Sequence, residues 1–238
     1  MKTIGLLGGM SWESTQVYYR LINQGVRARL GGLRSAPIIL NSLDFAEVEP
    51  LQVSGDWPAL TQLLIDAARR VEQAGAEGLV VATNTMHKVA DEIESAIDIP
   101  LIHVVDVTAA ALERDGIERV GLLGTRFTME DGFWSERLQR RFGIETIVPD
   151  PEQMTTINRV IFEELCHGVI RDDSRRRYLQ IIASLSQRGA RAAILGCTEI
   201  GMLVGPDDIP FPLYDTTELH AAAAVDFAIG EEAQAAVG

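Results

Sequence analysis

Lysine and cysteine are both scarce in this chain. Among its 21 basic residues only Lys2 and Lys88 are lysines, and its two cysteines are Cys166 and Cys197. Pyridoxal phosphate needs a lysine for its Schiff base, and no phosphate-binding glycine cluster stands beside either lysine, so a pyridoxal enzyme is disfavoured. The two cysteines lack the spacing of metal ligands, and a reducing compartment disfavours a disulfide between them. We therefore expect neither a cofactor nor a metal.

Long apolar runs and long basic runs are also missing. The opening apolar run is too short for a signal peptide, and no later stretch approaches the roughly 20 apolar residues of a membrane span. The net charge is -13, from 34 acidic and 21 basic residues, and no long basic run could follow a phosphate backbone. The opening glycines lack the spacing of a dinucleotide site. These absences predict a soluble, cytoplasmic protein that binds neither membrane, nucleic acid nor NAD.

Alternating strand and helix patterns predict an α/β fold. The chain has 238 residues, of which 47% are hydrophobic, enough to bury a substantial core. Helical patterns such as residues 57–74 separate short apolar runs that are typical of strands. Strands that alternate with helices form parallel sheets covered on both faces. The expected strands are residues 3–7, 37–43, 78–82, 101–105, 119–123, 145–148, 192–196 and 212–214.

The sequence also repeats itself, and the repeat predicts two related halves. We expect two related α/β halves with pseudo-twofold symmetry, parallel sheets and an active site in the cleft between them. The first half would comprise residues 1–105 and 212–238, and the second residues 106–211. Chance similarity among glycine-ended apolar strands is the alternative. The matching segments are 4–8 with 120–124, 75–85 with 189–199, and 100–103 with 212–215.

The repeat places Thr83 and Cys197 at equivalent strand ends, where ligands bind in open α/β sheets. Racemisation suits such a pair, because one group removes the α-proton from one face of a carbon while the other delivers a proton to the opposite face. Since Cys197 stands where a helix would begin, we expect a lowered thiol pKa and an exposed turn, with Thr198 and Glu199 beside the sulfur. The alternative is a small buried residue without chemistry, which is our interpretation of Cys166.

Polar residues at the neighbouring turns are candidate contacts for a substrate carboxylate. Asn84 and Thr85 could cap the following helix and, with its N–H groups, bind an anion. Capping alone is the alternative. Met10 and Ser11 hold the equivalent turn of the first repeat unit, and Thr125 that of the second. The four histidines form no convincing catalytic set, and we interpret each as packed or solvated.

Three motifs stand out along the chain. They are Gly-Gly-Met-Ser-Trp-Glu-Ser-Thr at 8–15, Thr-Asn-Thr-Met-His at 83–87 and Gly-Cys-Thr-Glu-Ile at 196–200. Together they resemble the aspartate/glutamate racemase family of the Asp/Glu/hydantoin racemase superfamily, most closely its enterobacterial-type members, over the whole chain. The resemblance implies two Rossmann-like halves, a small amino-acid substrate between them, no cofactor and a homodimer. It also implies substrate contacts by Gln52 and the turn at 83–85, and binding of a side-chain carboxylate by Arg159.

This chain departs from the family at Thr83, where most members carry cysteine. A threonine hydroxyl is a poor base at neutral pH, and the resemblance implies a preference for the L-enantiomer, with Cys197 the base for one direction. A second basic residue expected near positions 41–43 is missing, so the range of amino acids stays open. The alternatives are a single-cysteine decarboxylase or isomerase of the same superfamily, and a catalytically degenerate protein that binds an amino acid.

Overall fold

The computed structural model describes residues 1–230, which form an α/β fold with two parallel sheets. They divide into unit 1, which holds Met1–His103 and the segment from His220 onward, and unit 2, which holds Val104–Leu219. The predicted fold class is confirmed. The strands are β1 (Ile4–Gly8), β2 (Ile38–Ser42), β3 (Gly78–Val81), β4 (Arg119–Gly124), β5 (Glu145–Ile147), β6 (Ala192–Gly196) and β7 (Leu213–Asp215).

Helices follow most of these strands, as the alternating pattern predicts. They are α1 (Trp12–Leu30), α2 (Phe45–Ser54), α3 (Trp57–Gln73), α4 (Ala90–Glu94), α5 (Val104–Arg114), α6 (Arg126–Glu130), α7 (Phe133–Phe142), α8 (Pro151–Glu163), α9 (Asp172–Gln187), α10 (Ile200–Leu203) and α11 (Thr216–Ile229). Short 3-10 helices lie at Thr85–Val89 and Leu165–His167. Within residues 1–230, none of the helices is both long and apolar enough to cross a membrane.

The sheet of unit 1 has the parallel order β2-β1-β3 and is covered on both faces. Side chains alternate across a strand, so Ile4 and Leu6 of β1 pack with α1 and α11, while Leu7 packs with α3 on the other face. Helix α3 fits this face because its buried residues recur at three- and four-residue spacing. A strand buried on both sides explains why β1 is apolar throughout.

The sheet of unit 2 has the parallel order β5-β4-β6-β7. Val120 and Leu122 of β4 pack in one cluster with α5 and with Trp134 of α7, whereas Leu123 packs in another with α8 and α9. Strands β1 and β4, which match in the sequence repeat, each lie between two partners in their sheets. Both β3 and β6 pair with these strands, so Thr83 and Cys197 follow equivalent strands.

Two boundaries differ from the sequence-based expectation. Residues 101–105 do not form a strand, because Leu101 makes only an isolated bridge to Leu79 and α5 begins at Val104. Residues 212–219 do not belong with the first half, because β7 pairs with β6 and the segment clusters with unit 2. The end of that predicted first half, residues 231–238, lies outside the described residues.

The turn after β1 brings two chain segments into close approach. Gly9 has a φ of 88°, in the left-handed region that favours glycine. The N–H of Leu43 donates to the carbonyl of Gly8 at 2.9 Å, and a Cβ at Gly9 would collide with the backbone of Leu43. This compact turn leads directly to Met10 and Ser11 at the carboxyl edge of the sheet.

Candidate active site

Cys197 immediately follows β6 in unit 2, at the carboxyl edge of the sheet. Its side chain is partly buried and packs against the cluster that α8 and α9 form with β4. The thiol donates a hydrogen bond to Oε2 of Glu199 at 2.9 Å. Glu199 is itself buried, with 9% of its surface exposed. The thiol and the carboxylate thus form a hydrogen-bonded pair at a partly buried position.

The environment of Cys197 raises the pKa of its thiol well above the ordinary value. Burial is the largest cause, followed by the negative charge of Glu199 and the hydrogen bond that the thiol donates to it. The expectation of a lowered pKa was therefore wrong. Its premise fails because α10 begins only at Ile200 and has four residues, with a carboxylate beside the sulfur instead of a cation. The resting thiol is protonated at neutral pH.

The turn that carries Cys197 is less exposed than the sequence suggests. Cys197 and Thr198 are half-buried, and Glu199 is buried. A threonine beside the sulfur, with a carboxylate one residue on, matches the expected composition of the turn, but the predicted open position was wrong. The thiol is therefore only partly accessible to water.

Asp215, at the end of β7, lies against the helix that follows Cys197. Its Oδ1 accepts hydrogen bonds from the N–H groups of Thr217 at 2.8 Å and Glu218 at 3.3 Å. Its other oxygen fills the space beside Gly201 of α10, where any Cβ would collide with it. Burial raises the pKa of Asp215 from 3.8 to about 6, although the two N–H donors oppose this shift. Asp215 therefore titrates near neutrality.

Replacing Asp215 by asparagine should stabilise the folded protein at neutral pH but not in acid. In the native protein the folded state holds the carboxyl proton more tightly than the unfolded state, so this group's contribution is fully present below about pH 4 and is lost as the pH rises through about 6. Asparagine keeps an acceptor for both N–H groups and carries no charge. Between pH 4 and pH 8 the variant should gain about 2 kcal/mol over wild type, measured by urea unfolding. An equal difference at both pH values would contradict the shifted pKa.

Arg159 lies on α8, and its charge is matched by carboxylates near the end of that helix. Its Nη1 is 3.7 Å from Oε2 of Glu163 and 3.6 Å from Oε1 of Glu164, with 40% of the Arg159 side chain exposed. Glu164 is buried and accepts a hydrogen bond from Ser174 at 2.6 Å. The long Arg159 distances and its exposure leave the guanidinium accessible to a carboxylate ligand.

Ser11 follows β1 and Thr125 follows β4, and each caps the helix that comes next. Ser11 accepts a hydrogen bond from the N–H of Ser14 at the start of α1 at 3.3 Å. Thr125 accepts one from the N–H of Thr128 in α6 at 3.4 Å, and the two hydroxyl oxygens are 3.2 Å apart. Met10, beside Ser11, is buried.

Thr83 follows β3 in unit 1 and is half-buried. Its N–H donates a hydrogen bond to the carbonyl of Val81 at 2.8 Å, and its carbonyl is hydrogen-bonded to Nδ1 of His87, also at 2.8 Å. Asn84 and Thr85 are buried, but a 3-10 helix of five residues follows them and the Asn84 side chain does not cap it. The predicted capping role was wrong, because the backbone here turns as a tight 3-10 helix.

The predicted residues of unit 1 lie at one edge of its sheet. Strands β1 and β3 are parallel neighbours, so the turn at Met10–Ser11 and the turn at Thr83 follow their carboxyl ends. The hydroxyl of Ser14 donates to the carbonyl of Ala82 at 3.4 Å and ties the start of α1 to the end of β3. Gln52 lies apart in sequence on α2 and is buried, with 8% of its surface exposed.

Three of the four histidines form a buried cluster in unit 1. The ring of His87 lies 4.8 Å from that of His103 and 5.5 Å from that of His220, between ring centroids. His220 bonds through Nε2 to the carbonyl of Ile102 at 2.6 Å and through Nδ1 to the hydroxyl of Tyr18 at 3.1 Å. Burial lowers the pKa of His220 to about 4, so it is neutral. We call His87, His103 and His220 the histidine cluster.

Sequence reasoning missed Asp215 and the histidine cluster. The third repeat places His103 and Asp215 at matching positions, but a repeat alone does not indicate a function for either residue. His220 contacts residues far away in sequence, such as Tyr18. Over residues 1–230, no group of three or more histidine, cysteine or acidic side chains is arranged to hold a metal ion.

Comparison with known proteins identifies what this arrangement is similar to. Residues 7–224 match the sequence profile described as Asp/Glu/hydantoin racemase. The broad-specificity amino-acid racemase RacX of Bacillus subtilis is 23% identical over 235 residues, covering 93% of this chain and 96% of RacX. The match therefore spans both units and the motifs at Thr83 and Cys197.

Solved structures agree with this assignment. A Yersinia pestis protein provisionally described as an Asp/Glu racemase is 53% identical, with a TM-score of 0.92 over 97% of this chain and 100% of that chain. An aspartate racemase homologue from Pyrococcus horikoshii is 31% identical, with a TM-score of 0.86 over 97% and 100% of the two chains. An aspartate racemase from Picrophilus torridus shares the fold at 21% identity and a TM-score of 0.75, over 98% of each chain.

Proposed function

The chain belongs to the Asp/Glu/hydantoin racemase family, and from that premise we propose that this isomerase racemises aspartate, glutamate or a related amino acid without a cofactor. In this proposal Cys197 acts on one face of the α-carbon and Thr83 on the other. The observation that carries it is the pair formed by the Cys197 thiol and the Glu199 carboxylate, at the strand end that matches Thr83 in the repeat. The homodimer and the cytoplasmic location stay predictions.

The Cys197–Glu199 pair supplies both a proton donor and a base. The thiol, protonated at rest, can deliver its proton to a carbanion at the α-carbon. In the opposite direction the thiol proton passes to Oε2 of Glu199, at 2.9 Å, and the thiolate takes the α-proton. No net charge is created in that internal transfer, which matters in a partly buried site. The ammonium group of a bound amino acid would favour the thiolate further.

Thr83 makes the two faces unequal. A hydroxyl ionises far less readily than a thiol, so proton transfer on the Thr83 face should be the slower one. We therefore propose that the enzyme prefers the enantiomer whose α-hydrogen faces Cys197, and that this is the L-enantiomer. Its slow step is then the transfer that involves Thr83.

The remaining predicted residues are proposed to hold the substrate. Ser11 and Thr125 accept helix-capping hydrogen bonds through their oxygens, which hold both hydroxyl groups in place at the strand ends. Arg159 supplies a positive charge for a second carboxylate, with Met10, Gln52, Asn84, Thr85 and Thr198 completing the contacts. An acidic substrate would replace the weak Arg159 pairs to Glu163 and Glu164.

A protonated thiol also suits a decarboxylase of the same superfamily, where one proton donor is sufficient. Such an enzyme would protonate a carbanion formed by loss of carbon dioxide and would not need Thr83. The raised pKa of Cys197 is the observation that favours this second candidate. A substrate with two carboxyl groups on one carbon would distinguish it from the racemase.

Hydrogen exchange at the α-carbon tests the proposed function directly. Pure protein in deuterated water, without pyridoxal phosphate, is incubated with L- and D-aspartate, L- and D-glutamate and several neutral amino acids. Loss of the α-proton is followed by NMR and inversion by chiral chromatography. We expect exchange of one enantiomer of an acidic amino acid to be faster than its inversion, because exchange needs only Cys197 while inversion needs both faces. No exchange with any amino acid would reject the racemase in favour of the decarboxylase or a binding protein.

A further inference from the structure

We propose that His87 is a positioning residue for proton transfer on the Thr83 face, and that it acts through its Nδ1–H bond to the Thr83 carbonyl. This inference rests on the proposed function, because it concerns one of the two faces of the racemase. Nothing in it requires His87 to touch the substrate. Its ring fixes the backbone that carries the Thr83 hydroxyl.

The hydrogen bond itself determines the tautomer of His87. A carbonyl oxygen can only accept, so Nδ1, which lies 2.8 Å from the Thr83 oxygen, must carry the proton. In a regular α-helix the Thr83 carbonyl would accept from the N–H of His87, four residues on. Here that N–H donates to Asn84 at 3.1 Å in the 3-10 pattern. The imidazole takes the place that the backbone donor would have filled.

Both backbone polar groups of Thr83 are thereby held. Its N–H donates to Val81 and its carbonyl accepts from His87. The peptide between Thr83 and Asn84 cannot rotate without breaking the bond to His87, and a buried carbonyl that loses its donor is costly. The backbone position from which the Thr83 side chain extends is therefore fixed, although the residue is only half-buried.

The rest of the histidine cluster fixes the ring of His87. His87 is buried, and its ring packs at 61° to His103 and at 66° to His220. His220 cannot shift readily, because Ile102 and Tyr18 bind its two ring nitrogens. Since the Ile102 carbonyl requires a proton on Nε2, His220 accepts from Tyr18 and is neutral. The ring of His87 therefore packs against an uncharged, anchored neighbour.

Precise placement matters most for the weaker of the two catalytic groups. A displacement of about 1 Å can lower a reaction rate by about 100-fold. Because proton transfer by the Thr83 hydroxyl is already the slow step, any such loss would lower the rate of inversion directly. Loosening the Thr83 turn should slow inversion and leave exchange at the Cys197 face almost unchanged. A merely structural role for His87 would slow both rates together.

Asparagine and glutamine variants test this inference, since each replaces a different ring nitrogen. The side-chain N–H of His87→Asn can take the position of Nδ1, whereas that of His87→Gln takes the position of Nε2. In the deuterated-water assay, His87→Gln should lower the ratio of inversion to exchange by about 10- to 100-fold. His87→Asn should keep this ratio within about threefold of wild type. Thr83→Val shows the ratio when the hydroxyl is absent, and His167→Asn, at an exposed histidine, is the control.

The possible results separate the inference from the proposed function. Equal ratios in the asparagine and glutamine variants, or a parallel fall of exchange and inversion, would overturn the role of His87 while the racemase stands. If His87→Gln fails to fold, a folded His87→Asn that loses inversion would overturn it as well. A wild-type protein without exchange rejects the proposed function, and the inference falls with it.

Discussion

Replacing Cys197 by serine is expected to lower both exchange and inversion by about 10³-fold, the scale of a lost general acid or base. Serine can still donate a hydrogen bond to Glu199, so the local geometry should survive. Its hydroxyl, however, releases a proton far less readily than a thiol. Inversion should fall from either enantiomer, because every inversion needs Cys197, whereas exchange should fall for the enantiomer whose α-hydrogen faces Cys197.

Cys166→Ser is the matched control for this substitution. Cys166 is also a partly buried cysteine that packs against the same cluster of unit 2 as Cys197. We expect its rates to stay close to those of wild type, since nothing assigns it a proton-transfer role. Rates measured by α-proton NMR that are as high in Cys197→Ser as in wild type would remove Cys197 from the mechanism.

Removing the side chain of Trp134 should destabilise the folded protein by about 3–5 kcal/mol, the range for truncating a buried aromatic residue. Trp134 is fully buried in the cluster that α5 and α7 form with β4. Its replacement by alanine leaves a large cavity where Val120, Leu122 and Leu138 lose packing partners. The free energy of unfolding is measured by urea titration with far-UV circular dichroism.

Trp134→Phe separates packing from hydrogen bonding at this site. The indole Nε1 of Trp134 is buried and has no hydrogen-bond partner among the described residues. Phenylalanine keeps most of the ring volume and removes this unsatisfied donor, so the cost should be below about 1.5 kcal/mol. Trp12→Ala, with Trp12 62% exposed, should change stability by less than about 0.5 kcal/mol. An alanine variant at Trp134 as stable as Trp12→Ala would disprove the cavity argument.

The fold could be predicted to the extent that local patterns determine it. Apolar runs predicted strands at every position where a β-strand formed in residues 1–230. The signal was clearest for β1, β3, β4 and β6, which are buried almost throughout and are therefore apolar. The strand predicted at 101–105 was wrong, because a short β-branched segment does not by itself distinguish a strand from a buried helix. The predicted assignment of residues 212–219 to the first half was wrong because β7 pairs with β6, and no local sequence pattern indicates this tertiary contact.

The candidate site was proposed from its motifs, but the environment of its residues could not be predicted from them. The positions of Cys197 and Glu199 follow from their place after β6. The raised thiol pKa depends on burial and on the direction of the Glu199 side chain, which only the folded structure defines. The histidine cluster joins residues from three distant parts of the chain, so the role proposed for His87 has no sequence signature.

The discontinuity of unit 1 bears on the order in which the protein folds during synthesis. Ile4 and Leu6 of β1 are covered in part by Ala221, Ala224 and Val225 of α11, which leave the ribosome some two hundred residues later. Unit 2 is continuous from Val104 to Leu219 and needs no later segment for its sheet. The apolar face of β1 therefore has only part of its cover, from α1, while the whole second unit is translated. The unit that is begun first is completed last, and its exposed strands are the part of the nascent chain that most needs protection from aggregation.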